Sequence, residues 1–472
     1  MKPTTPIIPK PYAHQKAAFD GAMNAFDSGE NHGYAYFMDM GTGKSFADIM
    51  TIRRLYLEGK ISSVIIISPL TVVGVWMTEF AKFADFMYNI SVVTGKTAHK
   101  DDALKPPCGE ALRVVVTNYE TAWRMEKQID VWRPDMIICD ESHKIKNHAA
   151  IVSKSLHRLG CKAKYRLILT GTPVTNHASD IFSQYKFIEP SVFGKNYYAF
   201  RSRYFTMCGY GNYTALLKPS AEPELTAKIQ SVSYRATKAQ CLDLPAVTDI
   251  IRSVELEPSA AKIYRDLARN SYAELIKGKI TAANILTKLL RLSQVTGGYV
   301  GADGEPIKQI SKAKIDALSD IIESVTASGQ KIVVIARFTA EIAGITALCE
   351  KLKIGYTGIS GATKNRAEIV DDYQNNPNTQ IFIGQIAAAG LGITLTAAST
   401  MVFYSIDYSS SNHEQARARI HRAGQTQPCC YYYLAAKNTI DEKVIASLRE
   451  KTQLAKKLIG DCRDGVNPFD QI

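Results

Sequence analysis

The sequence predicts an α/β protein with two doubly wound parallel-sheet lobes and a helical insertion, and three observations lead to this prediction. The chain of 472 residues exceeds one ordinary hydrophobic core, so two domains of roughly 200 residues each are expected. Short apolar runs, rich in Val, Ile, Leu or Tyr, alternate with segments of helical pattern, which is typical of buried parallel strands and their crossover helices. This alternation occurs in two separate blocks, which indicates two copies of one α/β design.

The apolar runs locate the predicted strands. They are residues 34–38, 64–67, 114–117, 136–139 and 166–169 in the first block, and 331–336, 381–383, 401–405 and 431–434 in the second. Residues 256–295 have long helical patterns and few β-branched runs, which predicts the helical insertion at about 256–300. Residues 241–248 contain a proline and form the candidate hinge, so the predicted lobes are 1–245 and 246–472.

The charge balance is compatible with a polyanionic partner. Lys and Arg outnumber Asp and Glu by 57 to 45, a formal charge of +12, which suits nucleic acid and equally suits a merely soluble basic protein. The nine cysteines include no CxxC pair, which is typical of free thiols in a reducing compartment. Since no bilayer-spanning stretch or signal-peptide pattern is visible, we expect a cytoplasmic location in a bacterium or a virus-infected cell, or a nuclear one in a eukaryote.

A glycine-containing loop follows the first predicted strand. Residues 38–45 read MDMGTGKS and precede a helical pattern, so strand, loop and helix form the P-loop arrangement. Gly41 and Gly43 allow backbone N–H groups to turn toward a phosphate, and the helix N-terminus adds partial positive charge. Lys44 is expected to pair with the β- and γ-phosphates of a nucleotide, and the Ser45 hydroxyl to ligate magnesium.

Two adjacent carboxylates end another predicted strand. Asp140 and Glu141 directly follow residues 136–139. A strand that delivers two carboxylates to the edge of a sheet suits magnesium-assisted hydrolysis. Asp140 is expected to hold magnesium through water, and Glu141 to orient and deprotonate the attacking water. An Asp-Glu pair in a solvated loop is common, so its place at a strand end is what makes it informative.

Ordered motifs along nearly the whole chain resemble the Swi/Snf-type DNA translocases of helicase superfamily two. The matching segments are 10–15, 38–45, 66–70, 116–120, 140–147 (DESHKIKN), 169–176, 331–338, 358–366, 385–398 and 415–425 (QARARIHRAGQ), of which the last is the most specific. Three positions depart from the family pattern. Met38 stands where the family usually has an acid, Ser142 where it has alanine, and Thr394 where many members have asparagine.

The resemblance implies two tandem RecA-like lobes and a DNA-dependent ATPase that uses ATP and magnesium. It implies that Gln15 reads adenine and that Thr42 and Gly392 help to bind the nucleotide. It also implies a catalytic role for Gln415. The expected partner is double-stranded DNA, with single-stranded DNA as an open alternative, and a monomer without a membrane is expected.

The last motif contains two arginines whose spacing predicts a shared position. Arg419 and Arg422 are three residues apart, so on a helix they share one face. Residues 413–422 contain no Gly or Pro, which predicts a helix there, with Arg417 pointing elsewhere. By resemblance, Arg419 and Arg422 are arginine fingers that reach the γ-phosphate across the lobe interface, and a planar guanidinium suits that group. A basic solvated helix is the other interpretation.

The resemblance also places five candidate DNA contacts in loops that line a cleft. They are Ser68, Thr117, Lys146, Arg337 and Thr394. Hydroxyls and basic groups at phosphates position a protein without reading sequence, so binding should tolerate sequence and depend on salt. Thr117 is equally compatible with an ordinary strand residue, and Lys146 with a solvated lysine.

Aromatic and basic residues cluster near residue 200. The aromatic members are Tyr197, Tyr198, Phe200, Tyr204, Phe205, Tyr210 and Tyr213, and the basic ones are Lys195, Arg201 and Arg203. A helical core face is the commoner explanation of such a cluster, and stacking of nucleic-acid bases is the alternative.

Three functions stay open on the sequence. The first is a translocase that moves along duplex DNA, and the second is a strand-separating or fork- or branch-remodelling DNA helicase, for which no wedge element is visible. The third is an ATP-switched nucleic-acid clamp without productive hydrolysis. The presence of Lys44, Asp140, Glu141 and Arg422 weighs against the clamp.

Overall fold

The chain forms two compact units in the computed structural model. The described residues up to Leu242, together with 451–459, form the first unit, and those from Asp243 to Glu450 form the second. The structure describes residues 9–29, 31–93, 104, 110–175, 177–208, 214–276, 282–301, 307–361, 363, 365–386 and 393–459. Within these ranges, no helix combines the length and the apolar character needed to cross a membrane.

A parallel sheet is the centre of the first unit. The strands of this unit are β1 Gly33–Met38, β2 Ser63–Ser68, β3 Tyr88–Val93, β4 Leu112–Asn118, β5 Met136–Asp140, β6 Tyr165–Leu169, β7 Phe205–Cys208, β8 Thr214–Leu217 and β9 Ser233–Ala236. Seven of them form the sheet in the order β3-β4-β2-β5-β6-β1-β9, with every neighbouring pair parallel. Strands β7 and β8 form a separate antiparallel pair.

The apolar runs predicted the five inner strands of this sheet and missed its two edges. Every residue of β1, β4, β5 and β6 is buried, which explains why their sequences read as continuous apolar runs. The edge strands β3 and β9 are mostly half-buried or exposed, so their mixed sequences carry no such signal. The predicted fold class is confirmed for this unit.

The second unit repeats the design with a six-stranded parallel sheet. The strands of this unit are β10 Val247–Val254, β11 Tyr299–Val300, β12 Lys308–Gln309, β13 Lys331–Ala336, β14 Gly355–Ile359, β15 Thr379–Gln385, β16 Ala398–Phe403 and β17 Cys429–Ala436. The sheet has the order β10-β17-β16-β13-β15-β14, and β11 pairs antiparallel with β12 outside it. Again the apolar runs predicted the four inner strands and missed the partly exposed edges β10 and β14.

Helices connect the strands of both sheets. In the first unit they are α1 Ala13–Asp27, α2 Lys44–Leu57, α3 Val73–Phe83, α4 Tyr119–Arg124, α5 Glu126–Trp132, α6 Ile151–Gly160, α7 Ile181–Ile188, α8 Pro190–Phe193, α9 Tyr197–Tyr204, α10 Glu222–Ser231 and α11 Lys238–Cys241. From residue 243 onward they are α12 Pro258–Ile276, α13 Ala282–Thr296, α14 Ala313–Ala327, α15 Thr339–Leu352, α16 Arg366–Asn375, α17 Ser410–Arg417 and α18 Ile440–Ile459. Helices α12 and α13 occupy the segment with the long helical patterns.

The aromatic cluster near residue 200 is largely core. Its buried members are Phe200, Tyr204 and Phe205, which pack in the core of the first unit and bear out the core explanation. Tyr198 is exposed, and the guanidinium carbon of Arg201 lies 5.3 Å from its ring centroid. Tyr210 and Tyr213 lie outside the described residues.

A buried ion pair joins α17 to the edge strand of the second sheet. The Arg417 guanidinium donates to both carboxylate oxygens of Asp249 on β10, and only 16% and 3% of the two side chains are exposed. The guanidinium also lies over the Tyr431 ring, 4.0 Å from its centroid. The Tyr433 hydroxyl lies 3.2 Å from the same carboxylate. Arg417 thus fixes the end of α17 to two strands.

We expect Arg417→Met to lower the urea midpoint of the second unit, because it leaves the Asp249 carboxylate buried without its cation. Removing one partner of a buried pair costs about 3–5 kcal/mol. The double variant Arg417→Met/Asp249→Leu should recover most of the loss, since it removes the stranded charge as well.

Arg252→Met is the matched control on the same strand. Arg252 pairs with Asp320 at 3.8 Å, and both side chains are more than half exposed, so its removal should change the midpoint little. An equal loss in the single and double variants would contradict the role given to the ion pair.

Candidate active site

The loop after β1 has a backbone that favours glycine. Gly41 has φ +86° and Gly43 has φ +83°, both in the left-handed region. Helix α2 begins at Lys44 directly after this loop, so the free N–H groups of its first turn lie beside it. The loop and the helix N-terminus together have the chemistry of an anion site.

Helix α1 places Gln15 directly against the loop. Gln15 Nε2 donates to the carbonyl oxygen of Thr42 at 3.3 Å, and Gln15 Oε1 accepts from the N–H of Tyr12 at 3.0 Å. The Nε2 atom of His14 lies 2.8 Å from the same Thr42 carbonyl. A Cβ on Gly43 would lie 2.1 Å from Gln15 Nε2, so the missing side chain lets α1 approach. The structure therefore brings Gln15, Thr42 and Gly43 together.

Lys44 and Ser45 open α2 and make different contacts. Lys44 Nζ donates to the carbonyl oxygens of Met38 at 2.8 Å and Asp39 at 3.3 Å. Ser45 lies close to Glu79 on α3, where burial raises the pKa of the Glu79 carboxyl and the nearby Lys82 and Ser45 oppose that rise. The lysine thus lies against the loop's own carbonyls, at the position where a phosphate would attract it.

Asp140 and Glu141 are buried together at the carboxyl end of β5. Each is 8% exposed. Trp76 Nε1 donates to Asp140 Oδ2 at 3.2 Å, and the Thr170 hydroxyl donates to Glu141 Oε2 at 3.3 Å. Glu141 Oε2 also lies 3.3 Å from His143 Nδ1. Glu141 itself has φ +53°, a left-handed conformation that is strained for a residue with a side chain.

Burial and neighbouring charges shift the pKa values of the two carboxyls in opposite directions. Burial raises the pKa of Asp140, and the adjacent Glu141 charge raises it further, while Lys44 opposes both. Burial also acts to raise the pKa of Glu141, but the adjacent His143 ring and the Lys44 ammonium hold that pKa below its usual range. Glu141 is therefore the anionic member that can orient a water molecule.

In the second unit, Arg419 and Arg422 converge on one atom. The Nη1 atoms of both donate to the carbonyl oxygen of Ile393 at 3.4 Å. Arg419 is 2% exposed, and burial lowers the pKa of Arg422. The two predicted arginines are thus neighbours beside the segment that precedes β16.

The predicted helix over residues 413–422 is wrong at its end, because α17 stops at Arg417. The Arg417 carbonyl still accepts a helical hydrogen bond from the N–H of His421 at 3.3 Å, and two donors from elsewhere also bond to carbonyls of this segment. The Tyr431 hydroxyl donates to the carbonyl oxygen of Arg417 at 2.8 Å, and the N–H of Leu395 donates to that of Arg419 at 2.9 Å. Arg419 and Arg422 therefore lie close together because the chain turns after α17. The prediction that they share one face of a helix is wrong.

Family models match most of the chain. The SNF2-related domain matches residues 14–297, and the helicase conserved C-terminal domain matches residues 313–424. The first match alone covers more than half of the 472 residues.

The chain belongs to the SNF2-related family.

It is an ATPase of helicase superfamily two with two tandem RecA-like lobes. The chain is 26% identical to the DNA repair and recombination protein RDH54 of Saccharomyces cerevisiae over 475 residues, 90% of this chain and 51% of the relative. It is 26% identical to the DNA repair and recombination protein RAD54-like of Drosophila persimilis, over 91% of this chain and 61% of the relative. This chain therefore spans only half to three fifths of the length of these relatives.

A solved structure also resembles the chain. It is the Sulfolobus solfataricus SWI2/SNF2 ATPase core in complex with dsDNA, with 26% sequence identity and a TM-score of 0.47. The likeness covers 97% of this chain and 94% of that one.

The remaining site residues of this SNF2-family chain are scattered over the second unit. Gln415 Nε2 lies 3.4 Å from the Ser411 hydroxyl on α17. Arg337 directly follows β13, and its N–H donates to the Ser405 hydroxyl at 2.9 Å. Thr394 is half-buried next to the carbonyl that holds the arginines. Gly392 lies outside the described residues.

The three DNA-contact candidates of the first unit are more enclosed than a loop position implies. Ser68 and Thr117 are buried in strands, and the Thr117 hydroxyl donates to the Val93 carbonyl at 2.7 Å. Lys146 is half-buried, and its ammonium group donates to the Thr175 hydroxyl. These contacts join neighbouring segments of the unit, and DNA contact by the three side chains stays a prediction.

The sequence analysis assigned no site role to four side chains that lie at the catalytic carboxyls and the serine. They are Trp76, Glu79, His143 and Thr170. Trp76 and Glu79 are three residues apart on α3, so they share one helix face. That spacing was visible in the sequence, but nothing local showed that the face meets β5 and α2.

We expect Gly43→Ala to weaken binding of a non-hydrolysable ATP analogue by about tenfold or more in a fluorescence titration. A side chain in the left-handed region costs roughly 1–2 kcal/mol, and 1.4 kcal/mol corresponds to a tenfold change in affinity. The new methyl group would also displace Gln15 from the loop.

Gly74→Ala is the matched control. Gly74 lies in α3, and a Cβ there would meet no atom within 4 Å, so nucleotide affinity should stay unchanged. Unchanged affinity in Gly43→Ala would contradict the binding role of the loop.

Proposed function

We propose that this chain is a motor that hydrolyses ATP to move along double-stranded DNA. The observation that carries the proposal is the buried Asp140 and Glu141 pair, which lies at the carboxyl end of β5 and feels the charge of Lys44. Strand β5 belongs to the same parallel sheet as β1, the strand that precedes the glycine loop. A chain that uses ATP only as a switch would have no need for a strained, buried glutamate poised to orient water.

The nucleotide is proposed to lie on the glycine loop. Lys44 leaves the carbonyls of Met38 and Asp39 and pairs with the β- and γ-phosphates, and the first turn of α2 donates its N–H groups. Gln15 is proposed to read adenine, and the contact of its amide with the Thr42 carbonyl of the loop supports this role. Glu141 orients the attacking water and takes its proton, and Thr170 and His143 hold the carboxylate for that step.

The donor set fits hydrated magnesium. Among the described residues, no three His, Cys, Asp or Glu side chains gather closely enough to ligate a metal. Magnesium needs no such cage, because it usually keeps several waters and binds one or two carboxylates together with phosphates. Ser45 and Asp140 would hold it there, and the ion would neutralise charge on the phosphates.

The second lobe is proposed to complete catalysis. Arg419 and Arg422 would stabilise the charge that develops on the γ-phosphate, an effect worth on the order of 10³–10⁵ in rate. Gln415 would assist from α17, and Gly392 would contact the nucleotide. With lobes at 1–245 and 246–472, ATP favours closure and hydrolysis favours opening, so each cycle yields a small step.

Duplex DNA is the proposed track. Two relatives are named as DNA repair and recombination proteins, and the chain carries a formal charge of +12. Ser68, Thr117, Lys146, Arg337 and Thr394 are the proposed contacts to phosphates, which position the protein without reading sequence. The chain is proposed to act as a monomer, in the cytoplasm of a bacterium or virus-infected cell, or in a eukaryotic nucleus.

We expect duplex DNA to stimulate ATP hydrolysis by about tenfold or more, a change of roughly 1.4 kcal/mol in the activation barrier. The measurement compares phosphate release without nucleic acid and with single-stranded DNA, duplex DNA and duplex RNA. Stimulation should fall steeply as salt rises, because phosphate contacts release counterions.

The Lys44→Ala variant gives the background rate of phosphate release, since it lacks the ammonium group that is proposed to pair with the phosphates. Stronger stimulation by single strands would favour the strand-separating helicase over the translocase. Absence of hydrolysis under all four conditions would contradict the motor.

A further inference from the structure

A fully buried carboxyl lies one turn below the catalytic lysine. Asp48 is 0% exposed on α2, four residues after Lys44 and three after Ser45, so it shares their face of the helix. Among the described residues, no group makes a hydrogen bond with either of its carboxyl oxygens. A buried carboxyl without a partner is costly by several kcal/mol, so its presence calls for a partner.

The nearby protein donors are committed to other acceptors. The Thr51 hydroxyl donates to the Ala47 carbonyl at 3.0 Å, which leaves the Tyr36 hydroxyl to donate to Thr51 Oγ1 at 2.8 Å. Lys44 Nζ donates to the loop carbonyls. Among the residues that the structure describes, no side chain therefore supplies the hydrogen bond that the Asp48 carboxyl lacks.

The charge that acts on Asp48 most strongly is another carboxyl. Burial raises the pKa of Asp48 well above its usual range, and the Asp140 charge raises it further. Two carboxyls that face one region repel each other unless a cation lies there. Since Ser45 and Asp140 fit hydrated magnesium, the waters of that ion are donors of the kind that Asp48 lacks.

We propose that Asp48 is a positioning residue of the magnesium site, which accepts a hydrogen bond from a metal-bound water. The inference rests on the proposed ATP hydrolysis and adds a carboxyl to the residues already assigned to it. Asp48 does not touch the ion directly, in keeping with the lack of a three-ligand cluster among the described residues. Outer partners of this kind orient the inner ligands and typically contribute 10–100-fold to metal affinity.

The test measures metal affinity rather than turnover. Mn²⁺ replaces magnesium in the chain of 472 residues with a saturating non-hydrolysable ATP analogue, and the concentration of free Mn²⁺ is measured by electron paramagnetic resonance. Asp48→Asn keeps the shape and removes the charge, and it should raise the Mn²⁺ dissociation constant by about tenfold or more. The affinity for the analogue in EDTA should stay unchanged.

Two further variants keep the result interpretable. Asp48→Ala favours the helix and repeats the measurement if the asparagine variant folds poorly. Asp130→Asn is the charge-matched control, because it removes one carboxylate of the same unit at an exposed ion pair with Lys162, 2.6 Å away. It should bind Mn²⁺ like the wild type.

The two possible failures are distinct. If the wild type binds Mn²⁺ with the analogue and both Asp48 variants bind it equally well, Asp48 is a structural acid and this inference is overturned. If the wild type itself binds no Mn²⁺ with the analogue, the proposed hydrolysis is overturned and the inference with it.

Discussion

The close burial of Asp140 and Glu141 beside the Lys44 ammonium is the constraint on which the first unit depends. Two adjacent carboxyls in a nearly water-free site repel each other, and each loses the hydration that would stabilise its charge. The unit offsets this cost with a cation and with polar groups from three different segments. The indole of Trp76, the hydroxyl of Thr170 and the ring of His143 each reach one of the carboxyls. Parallel strands make this convergence feasible, because their carboxyl ends meet at one edge of the sheet.

The glycine loop also positions functional side chains of the first unit. A left-handed backbone at Gly43 turns the chain into α2, and the lack of a side chain admits Gln15. The same backbone therefore sets the place of the lysine and of the residue proposed to read adenine. In the second unit, one carbonyl gathers Arg419 and Arg422, and the ion pair of Arg417 with Asp249 holds the helix before them. Both units thus rely on backbone carbonyls and buried charges to fix their functional side chains.

The sequence predicted the inner strands, the P-loop and the carboxyl pair because each of them has a local signature. Buried parallel strands read as continuous apolar runs, and a glycine loop before a Lys-Ser pair is a short contiguous motif. The edge strands were not predicted, because the sequences of half-exposed strands contain no continuous apolar run. The end of α17 was not predicted, because no glycine or proline near Arg417 marks it in the sequence. The burial of Asp48 and the contact of Trp76 with Asp140 depend on tertiary distance, which one sequence does not contain.

The central claim is that Glu141 acts on the attacking water while the glycine loop binds the nucleotide. The most direct measurement compares ATP binding with ATP hydrolysis in one preparation of Glu141→Gln, with duplex DNA present. We predict that the dissociation constant for ATP changes little in Glu141→Gln. The rate of hydrolysis should fall by about 10²-fold or more, since general base catalysis contributes about 10²–10⁴-fold. Hydrolysis at the wild-type rate in Glu141→Gln would contradict the proposed role of Glu141 as the general base.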